Sequence, residues 1–263
     1  WNRSSLSHYL LLRFMITLKS YFTRWFGYAG EPHTEEDLPE LREVRGDLVV
    51  GNGSNSVTIV AVSDTHLVHP TSVPDGDVLI HCGDFLNHNA VPEDIVSFNE
   101  WLGAQPHKEK VIICGNHEIL MKTWPPEKIR AALSNATYFL HGETVTLDCG
   151  LTIHGTPFTQ ERNWIYKANS FSVGPQKLEE TFSKIPDDVD ILVSHVPSLG
   201  VLDKTYVDMR VGSAALLRNV LRSRPKVHFC GHNHDQTGAV YLQDTLVVNA
   251  AQKESNLGPF VVT

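Results

Sequence analysis

From residue 57 onward, short and almost uninterrupted apolar runs alternate with longer mixed segments. The runs are Val57-Thr58-Ile59-Val60-Ala61-Val62, Val78-Leu79-Ile80-His81-Cys82, Val111-Ile112-Ile113-Cys114, Ile191-Leu192-Val193, Val227-His228-Phe229-Cys230 and Leu246-Val247-Val248. Brief β-branched runs without polar alternation are the pattern of strands buried on both faces. Residues 92–101, 126–133 and 213–222 read as helices between them. Strand and helix in alternation predict an α/β architecture whose ligand site lies at the carboxyl ends of the strands. No Pro/Gly/Ser-rich linker, repeat or low-complexity tract divides this region, so residues 57–263 are expected to form one domain.

The preceding segment has a different character. Residues 1–30 carry Arg3, Arg13, Lys19 and Arg24 and no acidic residue. Leu10, Phe14, Leu18, Tyr21, Phe22, Trp25 and Phe26 recur at roughly helical spacing, which predicts a basic amphipathic helix. Arg13 and Lys19 interrupt it, leaving no run near the roughly 20 residues that span a bilayer. The open readings are a mitochondrial-type targeting helix, an interfacial helix touching a membrane through residues 8–26, an extra helix packed on the domain, or upstream sequence without a function of its own. Residues 31–56 turn acidic and polar and end in Gly51-Asn52-Gly53-Ser54-Asn55, so residues 1–56 are expected to be helix plus irregular connector. The chain opens on Trp1 rather than Met, as a piece of a longer protein would.

Each apolar run stops on a polar residue. In chain order the ends deliver Asp64 and His66, Asp84, Asn116 and His117, His195, then His232 and His234; the sixth reaches Asn249. Glycine precedes the polar residue in three of these ends, where the absence of a Cβ lets backbone approach a ligand closely. A lone Asp-x-His or Gly-Asp means little, and a lone His195 is more often a core histidine. The ordered set is more specific. Imidazole, carboxylate and amide oxygen with no thiolate suit manganese, iron, zinc or cobalt. Seven candidate ligands (Asp64, His66, Asp84, Asn116, His195, His232 and His234) are too many for one open site but suit two metals sharing a carboxylate.

The totals narrow the classes. A formal charge of −8 argues against a sequence-independent grip on nucleic acid, though bound metals would still attract a small anion. Cys82, Cys114 and Cys230 share a Cys-Gly context at strand ends and read as reduced packing residues. A reducing compartment follows, with cytoplasmic localisation expected and a mitochondrial or membrane-associated one as the alternative.

The series Asp-x-His, Gly-Asp, Gly-Asn-His-Glu, His and Gly-His-x-His resembles the calcineurin-like metallophosphoesterase superfamily over residues 57–263. Ser63-Asp64-Thr65-His66, the stretch from Asp77 to Phe85, and Arg224-Pro225-Lys226-Val227-His228 are similar to its metallophosphoesterase-domain-containing (MPPED-like) branch, related to class III cyclic-nucleotide phosphodiesterases. The resemblance implies a four-layer αββα sandwich of two mixed sheets flanked by helices. It implies that Asp64, His66 and His234 bind one metal, that Asn116, His195 and His232 bind the other, and that Asp84 bridges them. His117 is then the non-ligand histidine that protonates the leaving group, after in-line attack by a metal-bridging hydroxide on a small phosphodiester such as a cyclic nucleotide. The acidic residue that family members often place three positions after the bridging Asp is here Asn87.

Glu118 reads equally as a support behind the ligands or as a helix cap. His88 and Asn89 are the candidate substrate contacts. His69, His81, His154 and His228 could line the pocket or sit in core or surface. Phe158 and Trp164 could stack on a base but more simply pack under a loop, and Arg162, Lys204 and Arg210 more simply stay solvated than meet phosphate. The rival functions are a phosphomonoesterase or protein phosphatase, and a non-catalytic metal-binding scaffold of the same fold.

Overall fold

The computed structural model describes residues 38–45, 47–48, 56–161, 169–252 and 258–263. The amphipathic segment 1–30, together with Arg162 and Trp164, lies outside the described residues. All six apolar runs form strands: β2 (Ile59–Val62), β3 (Val78–His81), β4 (Glu109–Ile112), β10 (Ile191–Ser194), β11 (Val227–Cys230) and β13 (Thr245–Asn249). The three anticipated helices are α1 (Pro92–Ala104), α2 (Pro126–Ala132) and α4 (Ala214–Ser223).

The remaining strands are shorter or more polar: β1 (Leu41–Glu43), β5 (Tyr138–Phe139), β6 (Glu143–Thr146), β7 (Thr152–Thr156), β8 (Thr159–Gln160), β9 (Ser172–Val173), β12 (Gly238–Leu242) and β14 (Phe260–Val262). A further helix, α3 (Pro175–Phe182), has only Leu178, Thr181 and Phe182 buried, too few positions to announce a helical period. Among the described residues no helix is long and apolar enough to cross a membrane.

Two mixed sheets carry the architecture. One has seven strands in the order β1-β12-β13-β11-β10-β7-β6, and the other five in the order β14-β2-β3-β4-β5. The inner strands of both are parallel, and β14, β12, β6 and β1 pair antiparallel at or near the edges.

The period of two in a strand sends alternate residues to opposite faces, and here both faces are buried. Ile59, Ala61, Val78, Ile80 and Val111 of one sheet meet Ile153, Ile191, Val193, Val227, Phe229, Leu246 and Val248 of the other in a central core. Val60, Val62, Leu79 and Ile112 turn outward onto Ile95, Phe98 and Leu102 of α1 and Ile129 of α2. Leu192, Cys230 and Val247 turn outward onto Leu178 and Phe182 of α3 and Leu216 and Val220 of α4. These three apolar layers make the four-layer αββα sandwich.

One boundary is corrected. Residues 31–56, read as irregular connector, contain β1, and Leu41 to Glu43 pair with Leu242 to Val240 of the seven-stranded sheet. The strand escapes notice because its sequence, Leu-Arg-Glu, is charged, as suits an exposed sheet edge that must not recruit another strand. The folded sheet therefore begins before residue 57.

Phe98 of α1 stacks on Phe85, one residue after Asp84, with ring centroids 4.0 Å apart, and both side chains are fully buried. Phe98→Ala is expected to lower the unfolding free energy by about 3–5 kcal/mol, read from urea denaturation. A loss under about 1 kcal/mol would show that this helix face does not anchor the Asp84 strand end.

Candidate metal centre

The carboxyl ends of β2, β3 and β4 bring Asp64, Asp84 and Asn116 to one seam, and those of β10 and β11 bring His195, His232 and His234 to the other side of it. Three sets of donor atoms each fall within 4.8 Å: Asp64, His66 and His234; Asp84, His195 and His232; and His66, Asp84 and His117. Asn116 belongs to the second set by contact, its Oδ1 lying 3.0 Å from His195 Nε2 and 2.8 Å from His232 Nδ1. All seven candidate ligands named from the sequence thus converge, and His117 stands at their edge.

The backbone is bent to achieve this. Asp64 (φ 56°), His66 (φ 43°), Asp84 (φ 56°) and His232 (φ 69°) all occupy the left-handed region, which is uncommon outside glycine and concentrates at functional sites. The glycines before two strand-end residues serve close approach. A Cβ at Gly115 would overlap Asp84 Oδ1 and His195 Cε1, and one at Gly231 would overlap Ser63 Oγ and Asp64 Oδ2.

Backbone carbonyls orient the imidazoles. His195 Nδ1 lies 2.8 Å from the Cys82 carbonyl and His66 Nδ1 lies 3.1 Å from the Leu86 carbonyl. A carbonyl can only accept, so each Nδ1 carries the proton and Nε2 faces the seam. This is how metal-binding histidines are usually held, and the nitrogen and oxygen donors here fit divalent ions.

Electrostatics bind the cluster together. Burial opposes ionisation of Asp84, yet the charge of His195 and its hydrogen bond, with His117 and His66 nearby, hold the carboxyl well below the usual range. Burial likewise opposes the charge on His195, but Asp84 at 3.2 Å and Asp64 drive its pKa up to about 10. Asp64 is held at about 2, with burial outweighed by its bond to His234 and the charge of His195. The His117 ring is lowered to about 4 by burial, against the pull of Asp84.

Glu118 is a support, not a cap. Its buried carboxyl accepts the backbone N–H of Asp84 (3.0 Å), Leu86 (2.9 Å) and Gly115. Burial and the Asp84 charge raise it to about 8, against the backbone donors that favour the carboxylate.

Two further supports carried no signal beyond their place at a strand end. His81 accepts the Gly83 N–H at Nδ1 (3.2 Å), so its Nε2 proton goes to Thr65 Oγ1 (3.1 Å), tying the Asp64 loop to the Asp84 loop. Asn249 donates to the carbonyls of Asn233 (2.7 Å) and Gln236 (3.0 Å), holding the Gly-His-Asn-His segment from behind.

The other named residues separate clearly. His88 and Asn89 line an open cavity of about 330 Å³ with Leu67, Asn87 and His117. His81, His154 and His228 are buried, with His154 bonded to Thr144 and His228 to Ser194. His69 is half-buried against Trp101. Phe158 packs on His141 and the outer core of the seven-stranded sheet. Lys204 pairs with Asp208 and Arg210 with the buried Asp203, which occupies both cations. The cysteines Cys82, Cys114 and Cys230 are buried and unpaired, and burial raises their thiols.

Because a methyl group at Gly115 displaces Asp84 and His195 together, Gly115→Ala is expected to weaken Mn²⁺ binding by about 10–100-fold while the far-UV circular dichroism stays native. Unchanged affinity by calorimetry would mean that the close glycine packing does not set the donor spacing.

The comparisons agree with this geometry. The calcineurin-like phosphoesterase family model matches residues 57–236. A UPF0046 protein of Caenorhabditis elegans is 36% identical over 215 residues, covering 76% of this chain and 71% of that protein. Human metallophosphoesterase domain-containing protein 1 is 35% identical over 225 residues, covering 76% and 67%. Among solved structures, a phosphopantetheinyl hydrolase from Mycobacterium tuberculosis superposes with a TM-score of 0.54 at 13% identity, over 83% of this chain and 97% of that one, a likeness of fold alone. The family match spans most of the chain and both relatives share about a third of the aligned residues, so the chain belongs to the calcineurin-like phosphoesterase family and is a metal-dependent phosphoesterase.

Proposed function

We propose that the protein hydrolyses small phosphodiesters, cyclic nucleotides among them, at a dinuclear centre. One divalent ion would be held by Asp64, His66 and His234 and the other by Asn116, His195 and His232, with Asp84 serving both. When bound, such a pair lowers the pKa of water and neutralises charge on the phosphoryl oxygens, whichever of manganese, iron, zinc or cobalt is used. The observation that carries the reading is that Asp84 falls within donor range of His195 and His232 on one side and of His66 and His117 on the other, while His66 also groups with Asp64 and His234.

The residues beside the centre determine what it can accept. Asp84 Oδ1 receives the His117 backbone N–H at 2.7 Å and so fixes where that residue leaves the chain. The His117 Nε2 faces the Asp84 carboxylate across the seam at 3.9 Å, a charge that favours the protonated ring; the imidazolium can give its Nε2 proton to the leaving oxygen and return to neutral imidazole. The described residues lining the adjoining cavity are Leu67, Asn87, His88, Asn89 and His117, with no Lys or Arg. A monoester presents a dianion that rewards a cationic clamp, whereas a diester presents one negative charge and a second neutral arm. Partly planar walls without Lys or Arg favour the diester, with Asn89 near its leaving group.

We also place the protein in a reducing compartment, a reading supported by the unpaired Cys82, Cys114, Cys149 and Cys230.

With Mn²⁺, bis(p-nitrophenyl) phosphate is expected to turn over with kcat/KM at least about tenfold above p-nitrophenyl phosphate. Faster monoester turnover would overturn the diesterase reading. His117→Ala is expected to lower kcat by about 10²–10⁴-fold on a diester with an alkoxide leaving group, and far less on one that expels nitrophenolate, which needs no proton. Asp84→Asn is expected to lose stoichiometric metal, as measured by elemental analysis; full retention would remove Asp84 from the shared position.

A further inference from the structure

His117 is set beside the centre with little to hold its ring. Its Nδ1 is buried and unpartnered among the described residues, and its Nε2 lies 3.9 Å from Asp84 Oδ2, beyond hydrogen-bond reach. The side chain of Asn87, on the loop after Asp84, faces elsewhere. Asn87 carries no charge, and its Nδ2 donates to the His66 carbonyl at 3.2 Å.

Two ring contacts remain. The His66 ring meets His117 edge-on, with centroids 4.5 Å apart and planes at 75°. The His88 ring lies flat against it, with centroids 3.7 Å apart and planes at 15°. His88 is exposed on its outer side, while the His117 side chain is only 22% exposed, so His88 also shields the ring from water.

We propose that His88 is a positioning residue for the reaction: stacking of its imidazole fixes the plane of the His117 ring, doing by packing what a hydrogen bond to Nδ1 would otherwise do. A ring free to turn about its last torsion would spend part of its time with Nε2 away from the leaving oxygen, because sp³–sp² torsions have broad wells. A flat neighbour on one face and an edge on another restrict the ring to one plane. What His88 supplies in this role is a planar surface, so another flat ring can replace it and a branched aliphatic cannot. The inference rests on the role of His117 proposed above.

The test is steady-state kinetics on a diester with an alkoxide leaving group, with metal content measured on every variant. His88→Ala is expected to lower kcat about tenfold with KM and metal stoichiometry unchanged. His88→Phe is expected to restore most of the loss, and His88→Leu little of it. In the His117→Ala background, His88→Ala is expected to cost nothing more, since the ring it positions is gone. A raised KM at unchanged kcat would make His88 a substrate contact and overturn the proposal. Rescue by Leu as good as by Phe, or losses that multiply in the double variant, would overturn it as well. If His117→Ala alone left kcat intact, both the role of His117 and this positioning would fall. A full loss in His117→Ala with no effect of His88→Ala would overturn only the positioning.

Discussion

Asp64 and Asp84 are carboxyl groups taken almost wholly out of water, and a bare buried charge costs several kcal/mol unless opposite charge and hydrogen bonds offset it. The rest of the site is arranged around that requirement. His195 lies against Asp84 and His234 against Asp64. The backbone N–H of His117 donates to Asp84 and that of His232 to Asp64. Bringing these donors close enough requires left-handed backbone at four of the candidate ligands and glycine at two of the approaches. Local strain is thus held in place by the electrostatics it makes possible, and bound cations would take over the offsetting role of the imidazole protons they displace.

The two carboxylates hang from the five-stranded sheet, while most of the imidazoles that offset them hang from the seven-stranded one. The centre therefore exists only when the two sheets pack face to face through Ile80, Val111, Val193, Phe229 and Val248. Each half also has its own polar support. Glu118 and His81 hold the Asp84 side, and Asn249 holds the His232 side through Asn233 and Gln236. Apolar packing brings the halves together, and buried hydrogen bonds set the last ångström within each.

Chemistry at the edge of this centre depends on weaker forces. His117 has a firmly placed backbone and a ring defined mainly by its contacts with other imidazoles. The described walls of the neighbouring cavity carry no Lys or Arg, so the substrate preference proposed here follows from what the walls lack as well as from what they offer. The candidate ligands are closely braced, whereas His88 beside them lies on an exposed loop.

Much of this was legible in the chain itself. Strands buried on both faces must be continuous apolar runs, so β2, β3, β4, β10, β11 and β13 were visible as such, and the polar residues that end them had to share one side of a parallel sheet. The ligand types and their order followed, and so did the metal chemistry they suit. Edge strand β1 and helix α3 were hidden, because a charged edge and an eight-residue helix carry almost no periodic signal. The tertiary structure alone decided that Glu118 supports the Asp84 loop, that His81 ties two loops through Thr65, and that His88 stacks on His117. Each of these is a contact between residues far apart in the chain. Burial and spacing along a strand are written locally, but which polar side chain meets which across a seam depends on how the sheets pack.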